Sequence, residues 1–310
     1  MRFTNGVLTA VVLALAPLQS SAQETAANMP IADLHFHPGQ NGKTPADVRD
    51  AFDRAGVRWF GLGAVSAPDA LQASRAFGDR SISWDGQWEM NQILVKDGVR
   101  EIENLANPDF KSLVANLEQS LAAKRIVGIG ELFVNNAHST GDPRLGRKMV
   151  IDGPVIRTLF ELAAKYDAFV GFHMEGDADS VAQLERLAAS NPKGRIILNH
   201  CGVNLTPSRL DHLLDDHPNL FCEFSVRYPP VRNPKGVFTE MFNDRAIGPG
   251  WKDVIVKHAD RFMVGTDAEG DNDRYVVAIQ NVRSGLLANL PIDVARKVAY
   301  SNAQALFGLK

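Results

Sequence analysis

Seven short apolar runs separated by helical stretches constrain this chain more than any other feature. They are "IADLHFH" (31–37), "RWFGLGAVS" (58–66), "IVGIGELFV" (126–134), "FVGFHME" (169–175), "RIILNHCG" (195–202), "LFCEFSV" (220–226) and "FMVGTDAEG" (262–270). Most are continuous rather than alternating, and they are rich in Val, Ile, Phe and Gly. Strands buried on both faces of a parallel sheet read this way. The stretches between them carry helix signals. "TPADVRDAFDRAG" offers Thr44 as a cap and Pro45 at the first helical position, and "TPSRLDHLLDDHP" repeats the device with Thr206 and Pro207. Residues 109–125 and 155–166 show the helical period. Strands alternating with helices are βα units. An eighth strand closes such a set into a barrel. "SISW" (81–84) is the first choice for it and "ILVKDGV" (93–99) the second. The expected fold is α/β, a single (β/α)8 TIM barrel.

The polar residues that end these runs are unusual. His35 and His37 close the first run, two residues apart and so on one face of a strand, about 6.6 Å apart along it. Glu131 ends "IVGIGE", His173 ends "FVGFH", His200 ends "RIILNH" and Asp267 ends "FMVGTD". In an α/β barrel these positions form the C-terminal rim, where active sites are built. Any one of them has a plain structural explanation, because a strand-end histidine is often a hydrogen-bonded core residue and an Asp can cap a helix. Six together do not, since two buried carboxylates without compensation carry a heavy desolvation cost. A divalent cation removes that cost. His138, His212, His217 and His258 fall in loops or helices and are expected to be solvated.

Histidine and carboxylate ligands suit zinc first, with Mn2+, Fe2+ or Ni2+ as alternatives, one or two ions per chain. Asp267 has a second use, because a carboxylate beside a metal-activated water can take its proton. Hydrolysis is the favoured chemistry. Asp33 shares the face of His35, where it could hydrogen bond to a ligand histidine. Arg227, Tyr228, Asp271, Asp273 and Arg274 follow late strands and are weaker candidates for substrate contact, and Trp84 and Trp88 are assigned to packing.

The first residues stand apart. "MRFTNGVLTAVVLALAPLQSSAQ" has Arg2 near its start, an apolar run from Val7 to Leu18 too short to span a bilayer, and then Ser20-Ser21-Ala22. That is the anatomy of a secretory signal peptide over residues 1–22. Removal leaves 310 − 22 = 288 residues, a periplasmic barrel domain over 23–310 with no membrane anchor. The formal charge of -3 and the absence of a Lys/Arg block exclude a nucleic-acid partner. A small-molecule substrate is expected instead. Cys201 follows one strand and Cys222 begins the next, which puts them toward opposite sheet ends as free, outward-packed thiols.

H-x-H on the first strand, single histidines in "GFHME" and "NHCG", Asp in "GTD" and the closing "YSNAQALFGL" (300–309) resemble the amidohydrolase superfamily, in its amidohydrolase-related branch. The resemblance runs from about residue 31 to 309. It implies a distorted (β/α)8 barrel with the metal site at the C-terminal rim. By position, His35, His37 and Asp267 would hold one metal. His173 would join them in a one-metal site, or hold a second metal with His200. Glu131 departs from many members of the branch, although TatD-type hydrolases place a metal-binding glutamate in a similar "GE" context. Either Glu131 bridges two metals, which is the preferred reading, or it stands outside a one-metal site and His200 polarises the substrate. The resemblance implies a metal-dependent hydrolase of a small-molecule ester, lactone or amide. The alternatives are a decarboxylase of the same branch, a TatD-like phosphoesterase and a metal-binding barrel without catalysis.

Overall fold

The computed structural model describes residue 1 and residues 23–37, 48–63, 75–229, 236–269 and 272–310. The signal-peptide stretch, the expected Thr44–Pro45 cap and Asp271 lie outside the described residues.

Nine parallel strands form one sheet: β1 (Ile31–His37), β2 (Val57–Leu62), β3 (Ser81–Gly86), β4 (Gly128–Asn135), β5 (Phe169–Met174), β6 (Arg195–Asn199), β7 (Leu220–Glu223), β8 (Phe262–Met263) and β9 (Ala268–Glu269). Each strand up to β8 pairs with its predecessor in sequence. The sheet then closes on itself: Asp33 of β1 bridges Val264, and Phe36 and His37 pair with Ala268 and Glu269. β8 and β9 are therefore two pieces of one eighth barrel strand, interrupted where the sequence reads Val-Gly-Thr-Asp. The result is the expected (β/α)8 barrel, and "SISW" does open the third strand.

The helices begin where the caps place them. Asn107 accepts from the Asp109 and Phe110 amides at the start of α3 (Pro108–Ala122), with Pro108 in the first turn. Thr206 accepts from the Arg209 amide to start α6 (Pro207–Asp216) as expected. The remaining barrel helices are α1 (Arg49–Ala55), α2 (Gln87–Asp97), α4 (Pro154–Lys165), α5 (Ala178–Ser190), α7 (Trp251–Lys257) and α8 (Asn272–Asn281). Among the described residues, no helix is long and apolar enough to cross a membrane.

The apolar residues divide into two bodies. The larger lies between the sheet and its helices. The smaller fills the barrel itself with Ala32, Leu34, Trp59, Ile82, Trp84, Phe169, Ile197 and Met263, and the C-terminal Leu306, Phe307 and Leu309 pack against it. Strand alternation separates these bodies: on β6, Ile197 faces the barrel interior while its neighbours Ile196 and Leu198 face the outer layer. Trp84 is fully buried, and a Cβ at Gly171 would overlap its ring. Its indole meets the His35 ring edge-on at 5.4 Å between centroids, so it is the floor on which the polar rim rests. Packing is its role, as expected, whereas Trp88 is exposed.

The two cysteines are free and buried in the outer layer. Their expected separation is wrong. Beyond β6 the chain turns through left-handed backbone at His200 and Cys201. Cys201 comes back over β7, where its amide donates to the Glu223 carbonyl at 2.9 Å and its thiol contacts that of Cys222. A strand-end turn reverses direction, which linear spacing does not reveal.

Candidate metal centre

All six strand-end residues meet at the C-terminal rim, and they form two triangles. In the first, His35 Nε2 lies 3.0 Å from His37 Nε2, His37 Nε2 2.7 Å from Asp267 Oδ1, and His35 Nε2 3.4 Å from Asp267 Oδ1. In the second, Glu131 Oε1 lies 2.9 Å from His173 Nδ1 and 2.8 Å from His200 Nε2, which are 3.1 Å apart. Glu131 joins the two. Its other oxygen, Oε2, faces the first triangle at 3.4 Å from His35 Nε2 and 3.9 Å from His37 Nε2.

The spacing fits a cation in each triangle. Ligand atoms about 2.0–2.2 Å from one ion lie roughly 2.8–3.6 Å from each other, whether octahedral or tetrahedral. The observed edges of 2.7–3.4 Å fall essentially on that range. Hydrogen bonding alone accounts for them poorly, because two imidazole nitrogens that face each other can share only one proton. The first triangle, and a grouping of His35, Glu131 and His200 that links the two triangles, each present three possible ligand atoms within 4.8 Å. Imidazole and carboxylate donors suit the borderline divalent metals.

Without a metal, protons offset the buried negative charge. Burial pulls the His35 imidazole down, but Asp267, Glu131 and Glu223 outweigh it and hold its pKa well above the usual value. His200 is likewise raised, the charge of Glu131 overcoming burial. His173 moves the other way, lowered by burial and by the neighbouring His200. Burial alone would raise Glu131, yet His35, His173 and His200 keep it well below the ordinary glutamate range. These histidines are positioned to neutralise carboxylates that a dication would neutralise better.

The rim backbone is shaped for this. His200 and Asp267 both adopt left-handed backbone, with φ of 57° and 52°. Such conformations cost non-glycine residues on the order of 1–3 kcal/mol each and persist where the surroundings impose them. Here the Asp267 amide is tied to the His35 carbonyl at 2.7 Å. Asp267 is also the most open of the six, with 23% of its side chain exposed against 0% for His35.

One residue at the centre escaped the sequence reading. Glu223, fully buried at the end of β7, accepts His35 Nδ1–H at 2.9 Å. The same Oε1 accepts the Asn199 amide at 3.1 Å, the His200 backbone N–H at 2.9 Å and the Ser225 hydroxyl at 2.8 Å. With its proton spent there, Ser225 Oγ can only accept from His200 Nδ1, 2.7 Å away. By engaging Nδ1 of His35 directly and of His200 through Ser225, Glu223 turns the Nε2 atoms of both rings inward, where a metal ion would take the place of their protons. The space is exact, since a Cβ at Gly265 would overlap Glu223 Oε2. The acid at the end of "FCE" carries the same signal as Glu131 in "GIGE" and could have been read from it.

Several weaker expectations change. Asp33 does not touch a ligand ring. It accepts the His35 and Thr266 amides and the Thr266 hydroxyl, bracing the β1 backbone, and burial pushes its carboxyl up to about 7. Arg227 is buried rather than on the surface, and its guanidinium donates to the carbonyls of His200, Cys201 and Leu205 and to Thr239. It clamps the loop after β6 and has no donor left for substrate. Tyr228 is buried, its hydroxyl 3.4 Å from the Thr266 carbonyl. Asp273 and Arg274 are exposed. Of the four outlying histidines, His258 is not solvated: its ring is largely buried and pairs with Asp211 at 2.8 Å.

The comparisons agree with this architecture. The Amidohydrolase family model matches residues 32–309. Among solved structures, an uncharacterized TIM-barrel protein from Bordetella bronchiseptica is similar at 15% identity and a TM-score of 0.58, over 91% of this chain and 99% of that one. A probable 2-pyrone-4,6-dicarboxylic acid hydrolase from Acinetobacter baumannii with citric acid bound follows at 12% and 0.53, over 90% and 100%. Dihydroorotase from Campylobacter jejuni is similar at 13% and 0.50, over 91% and 84%. At these identities the likeness is one of fold. No curated protein matches the chain. Because the family model spans nearly the whole barrel, the motifs at the strand ends and the closed (β/α)8 sheet come together in one assignment: the chain belongs to the amidohydrolase family.

Proposed function

We propose that the protein is a metal-dependent hydrolase that cleaves an ester, lactone or amide bond of a small molecule. The observation that carries this reading is the place of Asp267. Its carboxylate closes the first triangle at 2.7 Å from His37 Nε2, yet it is the most open member of the cluster, with 23% of its side chain exposed against 11% for His37. A group that only completes a ligand set gains nothing from exposure. A general base needs it, because it must meet both the attacking water and the substrate.

His35, His37 and Asp267 would hold one ion, and Glu131, His173 and His200 a second, with Glu131 spanning both. Zinc suits these donors, and Mn2+, Fe2+ and Ni2+ suit them nearly as well. A bound divalent ion supplies Lewis acidity, polarising the scissile carbonyl and acidifying water. Asp267 accepts the proton of the attacking water and returns one to the leaving group. His35 and His200, held rigid by Glu223, keep the donor atoms in place through the reaction. Phe238 stands over the His173 and His200 rings at 6.0 and 5.6 Å between centroids and gives the mouth an apolar wall.

The test is metal analysis of the purified protein followed by a panel of lactones, esters, amides, phosphoesters and aromatic carboxylic acids. The panel includes 2-pyrone-4,6-dicarboxylic acid, since a protein of the same fold carries that hydrolase description. Metal-dependent turnover of a carbonyl substrate is the expected outcome. Release of carbon dioxide from an aromatic acid, with no hydrolysis, would replace this reading with a decarboxylase.

A further inference from the structure

Outside the six strand-end residues, the loop after β4 reaches into the site through Ser139. Its hydroxyl lies 2.8 Å from His173 Nε2, the ring nitrogen that faces away from Glu131. It also lies 2.9 Å from Oε1 of Glu175, a buried carboxylate two residues beyond His173. The same Glu175 oxygen receives the backbone N–H groups of His138 at 2.6 Å and Ser139 at 2.7 Å. Its partner oxygen faces His138 Nδ1 at 2.8 Å. Four donors on one carboxylate leave it no role but acceptor.

The proton count then determines the ring. The Ser139 hydroxyl has one proton, and only by giving it to Glu175 does it avoid two acceptors facing each other at 2.9 Å. Ser139 Oγ is left to accept from His173 Nε2–H. A neutral imidazole protonated at Nε2 has a bare Nδ1, and Nδ1 is the atom that meets Glu131 and His200 in the second triangle. We infer that Ser139 and Glu175 are positioning residues that orient His173 for a metal ion in the triangle with Glu131 and His200. This deepens the proposed function and rests on its reading of that triangle as a metal site. The arrangement repeats, from another loop, the Glu223–Ser225–His200 chain on the opposite side of the cluster. Each chain is a carboxylate, a serine hydroxyl and an inward imidazole. Loss of such an outer partner commonly costs roughly 10–100-fold in metal affinity.

The experiment uses the full chain loaded with Zn2+ and compares wild type with Ser139→Ala, Ser139→Thr and His138→Ala. Zinc per chain and its transfer to a chelator are measured, with the melting temperature of each metal-free protein as a folding control. Nitrogen-15 NMR of the histidine rings reports which nitrogen of His173 carries the proton. Ser139→Ala should weaken one zinc by about 10–100-fold and leave the metal-free melting temperature unmoved. Ser139→Thr, which keeps the hydroxyl, should bind like wild type. So should His138→Ala, because its imidazole is 76% exposed and touches only the outer oxygen of Glu175. In wild type the His173 proton should sit on Nε2. Zinc binding unchanged in Ser139→Ala, or lost equally in Ser139→Thr, overturns the assignment, and so does a wild-type His173 protonated at Nδ1 if Ser139→Ala does not fold. A wild type that takes up no zinc overturns the metal reading itself, which separates the two failures.

Discussion

Glu223 holds His35 by a 2.9 Å hydrogen bond from Nδ1, and neither side chain touches solvent. Through that bond the end of β7 determines which nitrogen the end of β1 offers to the rim. Five donors converge on the two Glu223 oxygens, Ser225 N–H taking Oε2 at 2.7 Å. Glu223→Gln would set an amide N–H₂ against at least one of those donors. The mutant should lose about 1–3 kcal/mol of stability from the mismatched buried group. It should also lose roughly 10–100-fold in metal affinity. Chemical denaturation and metal titration measure the two effects, and a mutant with wild-type affinity would show that Glu223 only fills space.

Glu131 separates a one-ion from a two-ion centre. Its oxygens face different triangles, so Glu131→Gln replaces one of two anionic donors with a neutral and weaker one. Elemental analysis should give two ions per chain in wild type and a count falling toward one in the mutant. A wild-type count of one, unchanged by the substitution, contradicts the bridging role.

Asp33 should mark the stability profile with pH. Burial outweighs its hydrogen bonds and raises its carboxyl from 3.8 to about 7. Between those values the folded chain keeps a proton that the unfolded chain has released, so this group's stabilisation is complete below about pH 4 and fades as pH rises through about 7. Asp33→Asn cannot titrate, and its carbonyl can still accept the two amides while Thr266 turns its hydroxyl to the His35 carbonyl, 3.1 Å away. Urea denaturation at pH 5 and pH 7.5 should therefore show the mutant gaining on wild type, by up to roughly 1.4 kcal/mol per pH unit. Parallel profiles for the two proteins would remove Asp33 as the cause.

Export is the expectation attached to residues 1–22. Expressed in a bacterium with a secretion system, the chain should appear in the periplasm with Gln23 as its first residue. N-terminal sequencing of the fractionated protein decides it, and an unprocessed cytoplasmic product would refute export. The described chain takes hold immediately after that point: Glu24 pairs with Arg296 at 2.5 Å and with the Tyr300 hydroxyl at 2.9 Å.

The barrel and the six rim residues were legible because burial on both sheet faces writes continuous apolar runs, and a polar residue that ends such a run has a defined place. Ser81–Gly86 was harder to read, since serines and Asp85 dilute its apolar signal, and only the need for closure pointed there. The last strand read as one run over 262–270, whereas Gly265 and the left-handed Asp267 divide it into β8 and β9. What linear reading missed is whatever depends on turns. The reversal at His200 and Cys201 brought the cysteines together and carried His200 over Glu223. The Arg227 clamp and the Ser225 and Ser139 contacts arise in loops, where no periodicity announces which way a side chain points.

The most direct test of the account is Asp267→Asn. The asparagine keeps the size and one oxygen toward His37, so most of the bound metal should remain. It cannot take a proton from water. On whichever substrate the wild type turns over, kcat and kcat/KM should both fall by at least about 10²-fold, the scale of general-base catalysis, since the lost interaction belongs to the transition state. A mutant with wild-type metal content and near-wild-type turnover would remove Asp267 from the chemistry and contradict the hydrolase proposed here.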